Sequence, residues 1–149
     1  MTIDEVLDVL VRDRRPDSTT DLPSEHELDN LEEALGMSLP SEFRALLARL
    51  GGGIFYDRHE LFGARRLMVH DIELVPDLVS FRDRFARSGS RPPGDGFLPF
   101  HRSEGRVHLL DLRGTSPRVV SDDGQHVYAD LASFLEQVVL PPGSVSGRS

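Results

Sequence analysis

Ile3, Val6, Leu7, Leu10 and Val11 recur at the spacing of one helix face, behind a Thr2-x-x-Glu5 capping box that would satisfy free amides at the helix start. They predict a first helix over residues 3–13. The run from Arg14 to Asp21 is polar and broken by Pro16, which predicts a connecting loop and leaves the first helix free to dock loosely. Ser24-x-x-Glu27 is a second capping box. Leu28, Leu31 and Leu35 follow it, and Gly36 stands where a left-handed C-terminal cap is wanted, so a second helix is predicted over 25–35. Pro40 suits the opening of a third helix, whose stripe is Phe43, Leu46, Leu47 and Leu50, with Gly51-Gly52-Gly53 ending it.

Beyond the glycines the period shifts toward two. Ile54 to Tyr56, Glu60 to Phe62 and Arg66 to His70 read as short strands with turns between them. Helical spacing returns in Leu74, Leu78, Phe81 and Phe85, which predicts a fourth helix ending before Ser88 and carrying Pro76 near its start. Ser88 to Gly96 reads as an exposed, disorder-prone loop. Strands resume at Phe97 to Phe100, Arg106 to Leu112, Arg118 to Ser121 and Gln125 to Tyr128. The gaps between them are too short for the crossover helix that parallel neighbours need, so these strands are antiparallel. Leu131, Phe134, Leu135, Val138 and Val139 mark a last helix behind Asp130, stopped by Pro141-Pro142.

These elements describe an α+β single domain, a mainly antiparallel sheet of about six strands with four to five helices packed around it. Three segments follow: an N-terminal helix and polar linker (1–23), the main folded unit (24–140) and a tail (141–149) expected to be disordered. At 149 residues one hydrophobic core can carry the structure without metal or disulfides.

Composition narrows the chemistry. There is no cysteine, which removes thiol nucleophiles, disulfides and thiolate metal sites. No apolar stretch approaches the ~20 residues of a membrane helix, and the acidic start Met1 to Glu5 is unlike a secretory signal, so a cytoplasmic location is expected. All 17 basic residues are arginine, an absence of lysine that no folding rule requires and that hints at a GC-rich bacterium. The net charge of −8 repels phosphate backbones and favours basic partners.

No catalytic or metal set emerges. The six histidines His26, His59, His70, His101, His108 and His126 form no H-x-x-x-H pair, and they read as separate surface or loop residues, with His108 and His126 the one pairing to check. No G-x-S-x-G elbow or Walker loop is present, and Asp122-Asp123-Gly124 reads as a hairpin turn in preference to a calcium loop. Glu32 and Glu33 diverge on their helix. The arginine groups Arg12, Arg14, Arg15 and Arg82, Arg84, Arg87 lack an aromatic stacking stripe, which argues against nucleic-acid binding.

The block Leu31 to Leu47, followed by Gly51-Gly52, resembles the opening signature of the SUKH superfamily, which includes the Smi/Knr-type yeast cell-wall-assembly regulators and many bacterial immunity proteins. The order Phe97-Leu98-Pro99-Phe100, Val107 to Leu112 and Ala132-Ser133-Phe134-Leu135 fits that family's later elements, and the likeness spans about residues 24–139. It departs from the family pattern at Leu50, where Asn is common, and at Arg106, where an acid is frequent. The signature residues Leu35, Gly36, Leu39, Pro40, Phe43, Leu47, Gly51 and Gly52 are structural: a turn, a helix start and an inner face.

The resemblance implies a non-enzymatic protein-binding domain without cofactor. It points to an immunity protein that blocks a cognate polymorphic toxin, often a nuclease, by direct association. The acidic balance agrees with a basic target. Exposed acids beside strands and in loops, Asp57, Glu60, Glu104, Asp122 and Asp123, are the candidate contacts. Two other readings stand beside it: a regulatory or scaffolding module for a housekeeping partner, and a small hydrolase using His108 or His126 with Asp111 or Asp123.

Overall fold

Thr2 and Ser24 open the first two helices as their spacing predicts. In α1 (Ile3–Asp13) and α2 (Glu25–Leu35) the cap hydroxyl accepts the amide three residues on, while that residue's glutamate reaches back to the cap amide. Gly36 ends α2 at φ 72°, ψ 26°, where a side chain would be strained. The third helix, α3 (Ser41–Leu50), follows Pro40 directly. The computed structural model describes residues 1–87, 96–114 and 116–141. Most of the loop expected over Ser88 to Gly96, and all but Pro141 of the tail expected over 141–149, lie outside them.

Six strands form one antiparallel sheet in the order β1-β2-β5-β6-β7-β8: β1 (Gly53–Phe55), β2 (His59–Leu61), β5 (Phe97–Ser103), β6 (Arg106–Asp111), β7 (Arg118–Ser121) and β8 (Val127–Tyr128). A separate two-stranded ribbon pairs β3 (Leu67–Val69) with β4 (Ile72–Val75). The α+β architecture is thus as predicted. Leu74, however, lies in β4 and not in the fourth helix, and α4 begins at Leu78 (Leu78–Arg87). Leu74 matches the spacing of Leu78 and Phe81, but Pro76 separates them, and His70-Asp71, at φ 51° and 63°, make a tight hairpin that recruits Ile72 to Val75 as a strand. The last helix, α5 (Leu131–Phe134), continues as a wide π-type turn over Leu135–Val139.

One core joins these layers. Val6, Leu7 and Leu10 of α1 are fully buried with Leu46, Leu47 and Leu50 of α3, so the first helix is seated firmly instead of loosely. Phe43 of α3 and Phe134 of α5 both meet Phe100 edge-on, at 5.6 and 5.4 Å between ring centres, which fixes these helices on one face of the sheet. On the other face Arg102 lies over the rings of Phe62 and Phe81, 5.6 and 5.2 Å from their centres.

Candidate functional site

Strand register places Leu61, His101, His108 and Ser121 side by side across β2, β5, β6 and β7, with His59 two residues from Leu61 on the same face. Three histidines therefore meet. The Nδ1 atom of His59 lies 2.9 Å from Nε2 of His101, whose Nδ1 lies 3.1 Å from Nδ1 of His108. All three are buried, and His101 and His108 pack against Phe134. The expectation of separate surface or loop histidines is thus overturned for these three. His101 and His108 are equidistant from the Glu104-Gly105 turn, so hairpin register forces them opposite each other.

Arg58 orients the row. Its Nε–H donates to His59 Nε2 at 3.3 Å, so the proton of His59 sits on Nδ1 and is donated to His101 Nε2; the proton of His101 then sits on Nδ1 and is donated to His108 Nδ1. That leaves the proton of His108 on Nε2. Burial lowers all three, His59 and His108 to about 4 and His101 to about 2, and charges nearby add to the effect: Arg58 on His59 and the neighbouring rings on His101. The row is neutral at ordinary pH. Both nitrogens of His101 are already engaged, and among the described residues no group of three or more histidine or acidic side chains is arranged to hold a metal.

Among the described residues no hydrogen bond joins any of the pairs named for hydrolase chemistry. Asp111 receives Arg113 and Arg118 at 2.8–3.1 Å, which pull its carboxyl far below the usual range, and it lies on the sheet face opposite His108. Asp123 accepts from the Ser121 hydroxyl at 2.6 Å and from the Gln125 amide at 2.9 Å. His126 is exposed, and its amide donates to the Ser121 hydroxyl.

Antiparallel neighbours bring the β1–β2, β5–β6 and β7–β8 turns to one end of the sheet, and so gather Asp57, Glu104, Asp122 and Asp123 on one rim. Glu60 stands apart, in mid-strand opposite Arg102. Every one of the five is paired with arginine: Asp57 with Arg15 (3.0 Å), Glu60 with Arg102 (2.7 Å), Glu104 with Arg58 (3.5 Å), and both Asp122 and Asp123 with Arg106 (2.7 Å). The rim is therefore a mixed-charge surface.

The surplus negative charge lies elsewhere. Residues 1–50 hold 12 acidic residues against 5 arginines, whereas residues 51–149 hold 13 against 12. Net charges of −7 and −1 result, so the helical layer α1-α3-α2 is the acidic part of the molecule. Along α2, Glu25, Asp29 and Glu33 stand four residues apart as an exposed stripe. Arg44 of α3 binds Glu25, Asp29 and Glu32 at 2.7–2.8 Å, and Glu32 also accepts the Leu39 amide at 2.6 Å, fastening the α2–α3 corner. The sequence signal was an acidic helix without an arginine of its own.

A cleft of about 760 Å³ opens beside that corner, at the opposite end of the sheet from the rim. Leu39, Pro40, Glu42 and Phe43 line one side, Leu110, Leu112 and Pro117 the sheet end, and Ala129, Asp130 and Leu131 the start of α5. Leu39, Pro40 and Phe43 belong to the signature block, in which Leu35, Leu39, Phe43 and Leu47 are buried.

Comparison with known proteins agrees with this geometry. Residues 22–137 match the model of the SMI1 / KNR4 family (SUKH-1), which is more than three-quarters of the chain. The chain belongs to that family. Among solved structures, the crystal structure of a protein from Pseudomonas syringae pv. tomato is similar, with a TM-score of 0.69 and 16% identity over 91% of this chain and 96% of that one. At that identity it shows the shared fold. No curated protein matches. No helix among the described residues of this SUKH-1 protein is long and apolar enough to cross a membrane.

Proposed function

We propose that this SUKH-1 protein is a non-catalytic binding domain, an immunity protein that neutralises a cognate bacterial toxin by direct association in the cytoplasm. Its target is a basic protein of the nuclease kind. The observation that carries the reading is the charge partition: −7 of the net −8 belongs to residues 1–50, on a layer whose exposed face includes Glu25, Asp29 and Glu33. Such a field speeds encounter with a positively charged partner and disfavours nucleic acid itself. Family membership supports a protein partner, and the buried, neutral histidine row offers no exposed acid–base pair.

Co-expression with the toxin encoded next to this gene should rescue the cell and yield a complex whose association slows as salt is raised. The variant E25Q/D29N/E33Q, compared below its melting temperature because Arg44 loses two of its partners, should associate about tenfold more slowly at low salt. Absence of binding to any neighbouring toxin overturns the proposal. Recovery of a housekeeping protein with a measured stoichiometric complex would favour the scaffolding reading instead.

A further inference from the structure

The cleft between α3 and the far ends of β6 and β7 combines three kinds of group that a folded domain seldom leaves together unused. Pro40, Leu112, Pro117 and Ala129 supply partly exposed apolar surface, backed by Leu39 and Leu110 buried behind them. Its charged lining consists of two carboxylates, Glu42 and Asp130, both exposed. Among the described residues neither forms an ion pair, in contrast to the five arginine-paired acids of the strands and turns. Asp130 uses one oxygen to accept the Ser133 amide at 2.8 Å and keeps the other.

The third kind of group is the first turn of α3. Its amides at Ser41, Glu42 and Phe43 lie ahead of the first intrahelical bond, Arg44 to Pro40, and Pro40 has no side-chain acceptor to offer them. A lone cation would use the carboxylates and ignore the amides, and a small anion would do the reverse. A polypeptide segment satisfies both, through main-chain carbonyls and cationic side chains, and its aliphatic side chains suit the apolar surface. The volume is in the range that seats a ligand of several residues.

From this we infer that the cleft docks an extended segment of the partner protein in which arginine or lysine alternates with aliphatic residues, the cationic groups meeting Glu42 and Asp130. The inference rests on the reading of a basic protein partner and names where that partner inserts. The cleft is continuous with the acidic layer, since Glu42 stands on the first turn of α3, two residues from the Arg44 that binds Glu25, Asp29 and Glu32 of α2, so the field that attracts the partner leads to the cleft mouth.

The test is titration of the isotope-labelled full chain with the capped peptide Ac-Leu-Arg-Leu-Arg-NH2, against Ac-Leu-Glu-Leu-Glu-NH2, followed by amide chemical shifts. The basic peptide should shift residues 38–43, Leu112 and 129–131 and saturate, while the acidic one should not. The variant E42Q/D130N should bind the basic peptide about tenfold more weakly, since two charge-assisted contacts are lost. Asn still caps α5, so an unchanged melting temperature certifies the fold. Shifts confined to Glu25, Asp29 and Glu33, an equal response to both peptides, or silence at millimolar peptide overturns the inference. The cleft-filling Ala129→Trp separates the two readings. If it protects cells as well as the original, the cleft is not the docking site although the immunity role stands; if the original chain fails to protect, the role itself fails, whatever the peptides do.

Discussion

The Nδ1 atoms of His101 and His108 face each other 3.1 Å apart, so only one of the two can carry a proton while the contact lasts. A second proton there would set two N–H groups head to head in a buried place. The relationship makes the centre of this sheet intolerant of acid.

Stability should therefore fall as pH drops below about 6.5. The unfolded chain binds protons at its histidines near that value, while the folded row resists until about 4 for His59 and His108 and about 2 for His101. Between about pH 6 and 4 the folded chain should lose on the order of 1 kcal/mol per pH unit for each group, with the steepest fall near pH 5. Urea titrations from pH 7.5 to 4.5 would measure this, and His108→Gln should remove about one proton from the slope. A flat profile would contradict the buried row.

The hydrogen-bond direction set by Arg58 fixes the tautomers. Long-range proton–nitrogen correlation at pH 7 should show His59 and His101 protonated at Nδ1 and His108 at Nε2. Arg58→Ala should release this order and let mixed tautomers appear.

Glu32 holds the α2–α3 corner through the Leu39 amide and Arg44 at once. Glu32→Ala should cost about 1–3 kcal/mol, because it strands a partly buried amide and removes a charged hydrogen bond. Glu33→Ala, on the exposed side of the same helix, should cost almost nothing. Thermal unfolding of the pair gives the comparison.

Gly53 lies against the strap that precedes α2. A Cβ there would sit 2.3 Å from the Ser18 carbonyl oxygen and 2.6 Å from the Thr19 Cα, at a backbone φ of 137°. Gly53→Ala should destabilise by about 2–4 kcal/mol through strain and overpacking together. Gly124→Ala, at a turn with open space around it, should lose only about 1 kcal/mol, from its φ of 73°.

Local rules carried the helices and hairpins. Thr2, Ser24, Gly36 and Pro40 each act through neighbours three or four residues away, so their effects were legible without tertiary knowledge. Leu74 misled because a strand ending at Val75 and a helix starting at Leu78 happen to share a helical spacing. The pairing of His101 with His108 was readable from the Glu104-Gly105 turn, by counting outward along the hairpin. Contact with His59 was not, since it depends on β2 choosing β5 as its neighbour across 42 positions of chain. The cleft depends on three separated segments and leaves no motif. The charge partition, by contrast, needed only a count over residues 1–50 and over the rest, once the first fifty were known to form a helical layer.

That partition makes the molecule an electric dipole as well as an anion. In solution it will turn toward any cationic surface helices first, and an anion-exchange matrix should grip it by its acidic helices α1 and α2. Two proteins of equal isoelectric point but evenly spread charge would elute earlier, because the resin meets a local density of charge and not the molecular average.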